Sequence, residues 1–208
     1  MELSYAQVEG LIAALHRILP ARRSALEGRL KHFKRLGFPA GVNTGRGIAA
    51  KYNASAVLRL LIAFELLQFG MMPEKAVSLV RVMSHILISA AGYAGGDLVR
   101  GPDPDETDPD VSHNKNPFYI LFDPVALGPL ISPGDEGELS MDTLYALLDS
   151  ELQDDFDRGY SRTALINCTF LIGSAAIHLR DEESLPCAVF GQALLDWAHS
   201  LEWSDDRL

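Results

Sequence analysis

Apolar residues recur at three-and-four spacing through Val8, Leu11, Ile12, Leu15, Ile18 and Leu19, which predicts a first helix from Ser4 to Leu19, with Ser4 as its N-cap and Pro20 as its stop. A second stripe, Leu26, Leu30, Phe33 and Leu36, predicts a helix from Arg22 to Leu36 that Gly37 terminates. Beyond a glycine-containing stretch from Gly41 to Gly47, which reads as a hairpin or open loop, Val57, Leu60, Leu61, Phe64 and Leu67 predict a third helix over Ala56 to Phe69. Asn53 or Ser55 can cap it and Gly70 can end it. Pro73 then opens a fourth helix reaching Ala90, with Val77, Val80, Ile86 and Leu87 apolar.

After residue 90 the pattern changes. Gly, Pro, Asp and Asn dominate from Gly92 to Pro117, so residues 91–117 read as a linker between residues 1–90 and 118–208. Its carboxylates lack the spacing of a calcium loop. Phe118 to Phe122 predicts a short strand stopped by Asp123-Pro124, and Ser140 caps a predicted helix to Asp155 through Leu144, Leu147, Leu148 and Leu152. Arg162 to Ile166 reads either as a strand, with Asn167 capping a helix from Cys168 to Leu179, or as an uninterrupted helix from Ser161. A last helix, Leu185 to Leu201, turns Phe190, Leu194, Leu195 and Trp197 inward. The expected fold is mostly α, with four helices and a loop in the first part and a small α+β part at the end.

Composition changes this picture in one respect. The chain of 208 residues is 48% hydrophobic and 22% charged, enough for a substantial core. The net charge of −10 is unevenly placed: residues 1–60 carry ten Lys and Arg against Glu2, Glu9 and Glu27, a surplus of +7, and the rest carries −17. A basic head on an acidic body fits a protein that grips phosphate at one end. The cations concentrate in Leu30 to Tyr52, which contains no carboxylate and runs helix, turn, flexible basic loop, an order suited to a nucleic-acid duplex.

Other chemistry is sparse. The histidines at 16, 32, 85, 113, 178 and 199 form no HExxH, and neither GxSxG, Walker loop nor GxGxxG occurs, so no enzyme, catalytic residue, metal site or cofactor is expected. Cys168 and Cys187 lack metal-ligand spacing and read as reduced, buried thiols. The start of the chain lacks the pattern of a signal peptide and the apolar runs are too short or too interrupted to cross a bilayer, so a soluble, cytoplasmic protein away from membranes is expected.

Leu30-Lys31-His32-Phe33-Lys34-Arg35-Leu36-Gly37-Phe38 resembles the L-R-Y-Y-E-R-x-G-L pattern that ends the second helix of the MerR family of winged helix-turn-helix transcription regulators. Tyr52, Val57 and Gly70 keep the register of that family's wing and following helix, and Met71 to Val77 loosely follows its next helix start. The resemblance covers about fifty residues, roughly a quarter of the chain. It departs from the family in a longer first helix, in Pro20, and in an Asp/Pro linker where the family has a long coiled-coil helix.

The resemblance implies a winged helix-turn-helix over residues 1–90 and a C-terminal dimerisation or effector domain. It places Lys31, His32 and Phe33 where the family has an Arg-Tyr-Tyr against the phosphate backbone, and Lys51-Tyr52 at the wing's end. The expected function is a sequence-specific regulator binding double-stranded DNA as a homodimer, with RNA polymerase as a further contact. For a groove-reading helix, Arg29, Lys31, Lys34, Arg35, Arg46 and Lys51 would hold phosphates, while Arg22, Arg23 and Ser24 would reach base edges. A different class, an adaptor whose winged helix binds a protein partner, uses the same fold.

Overall fold

The computed structural model describes residues 1–42, 49–101, 117–122, 144–148, 152 and 163–202. Its α-helices are α1 (Tyr5–Leu15), α2 (Arg23–Arg35), α3 (Ala54–Gln68), α4 (Pro73–Val82), α5 (Ser84–Arg100), α6 (Cys168–Glu183) and α7 (Cys187–Glu202). The strands are β1 (Leu3–Ser4), β2 (Lys51–Tyr52), β3 (Phe118–Phe122), β4 (Leu144–Leu148) and β5 (Ala164–Asn167). The described chain is mostly helical, as its periodicity predicts.

Local signals set the ends of these elements. Ser4 and Gln7 form a reciprocal capping box that starts α1. The helix stops four residues short of Leu19, because Arg17 takes φ of 51° and Ile18 N–H bonds back to Ala13 O at 2.8 Å, returning Ile18 to the edge of the core. The end of α2 follows the same geometry with a glycine: Gly37 has φ of 66°, its N–H reaches Lys34 O, and Phe38 N–H reaches Phe33 O. The Phe38 ring then meets Phe33 edge to face at 5.6 Å between centroids.

Helix α3 is the axis of the molecule, with Ala54 to Leu58, Leu60 to Phe64 and Leu66 buried and α1, α4, α5, α7 and β2 against it. Of the two expected caps, Asn53 and Ser55, Asn53 starts it by accepting the Ala56 N–H at 2.9 Å. Strand β1 pairs antiparallel with β2, Leu3 opposite Tyr52 and Ser4 opposite Lys51, which ties the N-terminus to the entry of α3.

Three expectations are corrected. The single helix predicted from Pro73 to Ala90 is two, α4 and α5, meeting at 72°. The bend turns Met83 fully inward, and Ser84 Oγ–H bonds to Arg81 O at 2.7 Å, occupying a carbonyl that the break releases. The boundary expected at residue 90 falls inside α5: residues 91–100 are helical rather than linker, and residues 102–116 lie outside the described ones. Gly92 and Gly95 of that stretch face α7. A Cβ on Gly95 would sit 2.8 Å from Gly191 O, and one on Gly191 would sit 2.7 Å from the Leu98 Cβ.

The third correction concerns the helix predicted from Ser140 to Asp155, where Leu144–Leu148 is strand. It pairs antiparallel with β3 along its whole length, from Phe118 opposite Leu148 to Phe122 opposite Leu144. An apolar run of five fits either period, and the open edge of β3 decides for strand. Strand β5 pairs with the other edge, giving the order β4-β3-β5, and Asn167 then caps α6 by accepting from Phe170 N–H at 2.9 Å. One buried cluster runs from Leu11 and Phe33 through Leu61 and Leu87 to Ile120, Ile172 and Phe190, so the early helices and the later sheet share a core. Among the described residues no single helix is long and apolar enough to cross a membrane.

Candidate nucleic-acid interface

Helix α2 carries most of the predicted contacts. Leu26, Leu30 and Phe33 face inward. At 100° per residue the opposite stripe is Ser24, Gly28, Lys31 and Arg35, with Arg29 and Lys34 on its flanks. Ser24, Gly28, Arg29, Lys31, Lys34 and Arg35 are all exposed. Gly28, Lys31, Lys34 and Arg35 line an open depression of about 650 Å³. The first two turns of this stripe bear only small side chains, Ser24, Ala25 and Gly28, and nothing approaches within 4 Å of where a Gly28 Cβ would be. An extended anion can therefore approach the helix backbone closely there.

The chain's own carboxylates reach several of these cations. Arg23 Nη1 donates to Glu9 Oε1 at 2.9 Å, Lys31 Nζ to Glu27 Oε2 at 3.1 Å, and Lys51 Nζ to Glu2 Oε2 at 2.6 Å. Glu2, Glu9 and Glu27 are the only carboxylates in residues 1–60, and each is committed to a predicted site residue. The hydrogen bond from Lys51 holds the Glu2 carboxyl below its usual range, and Glu2 in turn raises the Lys51 ammonium. The pairs of Lys31 and Lys51 are exposed, where solvent screening makes an ion pair weak and exchangeable. Arg22 and Arg29 are exposed and form no ion pair with a described residue.

His32 is half-buried and links α2 to α4. A guanidinium only donates, so the 3.3 Å contact from Arg35 Nη2 makes His32 Nδ1 the acceptor, and His32 Nε2–H then donates to Glu74 Oε1 at 2.8 Å. The Glu74 backbone N–H and His32 both hold the Glu74 carboxyl below its usual range. This relay fixes the Arg35 side chain on the outer face. Arg81, which the sequence did not single out, donates from Nη2 to Leu36 O at 2.9 Å and satisfies an end carbonyl of α2.

Two expectations for side-chain roles are corrected. Tyr52 is 5% exposed, its ring held in the core beneath β1, so it offers no surface to a duplex. Phe33, aligned with an aromatic of the family pattern, is 1% exposed and stacks edge to face on Phe38 and Phe64. Strand alternation explains the first, since Lys51 and Tyr52 must point to opposite faces. The inward stripe of α2 explains the second. Arg46 lies outside the described residues.

Of the acid pairs, only Glu27 and Lys31 had a readable signal, an i,i+4 spacing on a helix. Glu2 and Glu9 come to Lys51 and Arg23 through strand pairing and helix packing. Elsewhere, Cys168 and Cys187 are buried thiols, neither of them in a disulfide. Burial first, and the Glu65 carboxylate next, push the Cys168 thiol strongly upward, so it stays protonated.

Comparison with known proteins adds nothing to these observations: no family model, curated protein or solved structure matches the chain.

Proposed function

We propose that this chain is a sequence-specific regulator of MerR-like build that binds double-stranded DNA through the outer face of α2 and the segment leading into β2, as a homodimer. The observation that carries this reading is the alignment of Lys31 and Arg35 opposite the core of α2, beside Lys34 and over an open depression. Phosphates along a groove meet a row of cations on such a helix, and the small residues of its first turns permit close approach. Arg22 and Ser24 are the side chains at the helix start that could touch base edges; Arg23 would first have to leave Glu9. A homodimer suits this reading because one helix makes few base contacts.

The test is salt-dependent binding of the full chain to duplex DNA. Lys34→Ala with Arg35→Ala should weaken binding and lower the salt slope by about one for each phosphate that is no longer neutralised. Unchanged binding by a folded double variant removes α2 from the interface.

The pairing of Arg23, Lys31 and Lys51 with Glu9, Glu27 and Glu2 favours a second reading, an adaptor that binds a protein partner. It leaves less uncompensated charge for phosphate than the sequence count suggests. Retention of the full chain on heparin separates the two: loss with rising salt supports nucleic acid, and retention indifferent to salt supports the adaptor.

A further inference from the structure

At His32 the cationic face of α2 is tied to a group that changes charge near neutrality. Its ring stands between partners of opposite sign, with Arg35 Nη2 3.3 Å from Nδ1 and Glu74 Oε1 2.8 Å from Nε2. Histidine is the side chain whose charge changes between about pH 5 and pH 8. The neutral ring serves both partners, because it has one acceptor for the guanidinium and one N–H for the carboxylate. A second proton has one place to go, Nδ1. There it ends the Arg35 contact, since two donors do not share a hydrogen bond.

The surroundings favour that exchange. Helix α2 packs against α1, α4 and the turn Pro20–Arg22. From α4 come Glu74, on the ring itself, and Arg81, which is engaged with Leu36 O at 2.9 Å. On α2, Lys31 beside the histidine pairs with Glu27 at 3.1 Å. Glu9 of α1 pairs with Arg23 at the far end of α2, where Arg22 also stands. Glu74 is thus the carboxylate that meets the ring among the described residues. Its carboxyl is held below the usual range, so it is ionised wherever an imidazole titrates. Protonation therefore exchanges the neutral relay for an imidazolium–carboxylate pair between α2 and α4, and it returns a donor edge to Arg35. Arg35 lines the open depression with Gly28, Lys31 and Lys34.

We propose that His32 is a proton-operated switch. Uptake of one proton at Nδ1 releases Arg35 from the relay to the depression, adds one positive charge beside it, and so tightens the hold of α2 on phosphate in mildly acidic solution. The tightening rests on the DNA reading above; the release of Arg35 does not. By linkage, a duplex that prefers the protonated chain also draws a proton to His32.

The test has two arms, both on the full chain. In the first, nitrogen-15 and proton spectra follow the His32 ring and the Arg35 guanidinium from about pH 8 to about pH 5.5 without DNA. At the upper end the ring should carry its proton on Nε2, and the Arg35 signals should change in step with protonation of Nδ1. Glu74→Gln removes the carboxylate that favours the imidazolium, so both changes should move to lower pH. A ring protonated on Nδ1 at the upper end, or Arg35 signals that do not follow the ring, overturns the proposal. In the second arm, a DNA duplex of mixed sequence is bound over the same range at constant ionic strength. Native affinity should rise with acid by at least about threefold more than that of His32→Gln, whose amide offers an acceptor and a donor but takes no proton. Where that variant does not fold, Glu74→Gln takes its place, with the rise displaced to lower pH. Equal pH responses in native and folded variant chains overturn the switch and leave the DNA reading standing. Absence of duplex binding at every pH overturns that reading and the tightening together, and the spectra then decide the release of Arg35 alone.

Discussion

His16 shows how one side chain is governed by its surroundings. It caps the end of α1, and its side chain is 4% exposed, tilted against Phe64, with Nδ1 3.8 Å from Glu65 Oε1. Its buried Nε2 has no hydrogen-bond partner among the described residues. Burial lowers its pKa from the ordinary 6.5, so the folded chain resists a proton that the unfolded chain accepts. Stability should therefore fall as pH drops below about 6.5, until the folded imidazole itself protonates. Burial raises the Glu65 carboxyl above 4.5, so that group acts in the opposite direction, relieving its cost as pH falls from its folded pKa toward 4.5. His16→Leu should flatten the imidazole's part of the profile, which urea midpoints at about pH 7 and pH 5.5 would reveal. At the proposed interface the residue-scale prediction is of opposite sign to the usual loss. Glu2→Gln with Glu27→Gln frees Lys51 and Lys31, so duplex binding should tighten by several-fold and its salt slope should steepen. A weaker or unchanged affinity would mean those lysines do not meet phosphate.

Elements were legible where local chemistry and periodicity agree. Ser4, Asn53 and Asn167 cap the helices that their positions predict, and Gly37 and Gly70 close two helices in left-handed conformations. The same residue type misled at Gly92, Gly95 and Gly96, where a glycine cluster reads as a linker but lies in α5. The difference is what faces the glycine: solvent at a turn, the backbone of α7 at Gly95. Gly191→Ala should consequently destabilise the fold by about 1–3 kcal/mol, since a methyl group there overlaps Leu98 and Gly95 O. Thermal unfolding would measure it, and an unshifted midpoint would deny the close crossing. Gly28→Ala makes the control, because open space surrounds that position and alanine favours helix.

For the whole molecule, the shared core has a thermodynamic consequence. Phe69 at the end of α3 meets Phe122 of β3 edge to face at 5.2 Å, and the Tyr93 ring of α5 lies 6.2 Å from that of Phe118. Gln7 near the start of α1 donates to Glu183 at the end of α6 at 2.8 Å. With α5 packed along α7, neither half has a complete core alone. The chain should unfold in one transition, with far-ultraviolet circular dichroism and tryptophan fluorescence giving coincident urea curves. Two separated transitions would restore an autonomous N-terminal domain. It also follows that residues 1–90, cut within α5, are a poor substitute for the full chain in binding experiments.

Local order placed α1, α2, α3, α6 and α7, because caps, glycine stops and three-and-four apolar spacing act within a few residues of the chain. The concentration of Lys and Arg in the first 60 residues is likewise a property of the sequence. Tertiary structure decided the rest. It chose strand for Leu144–Leu148 by offering the edge of β3, and turned Tyr52 inward by pairing β2 with β1. It brought Glu2 and Glu9 to cations that lie 49 and 14 residues away along the chain. Those outcomes depend on contacts between distant segments, whose free energy no window of sequence contains.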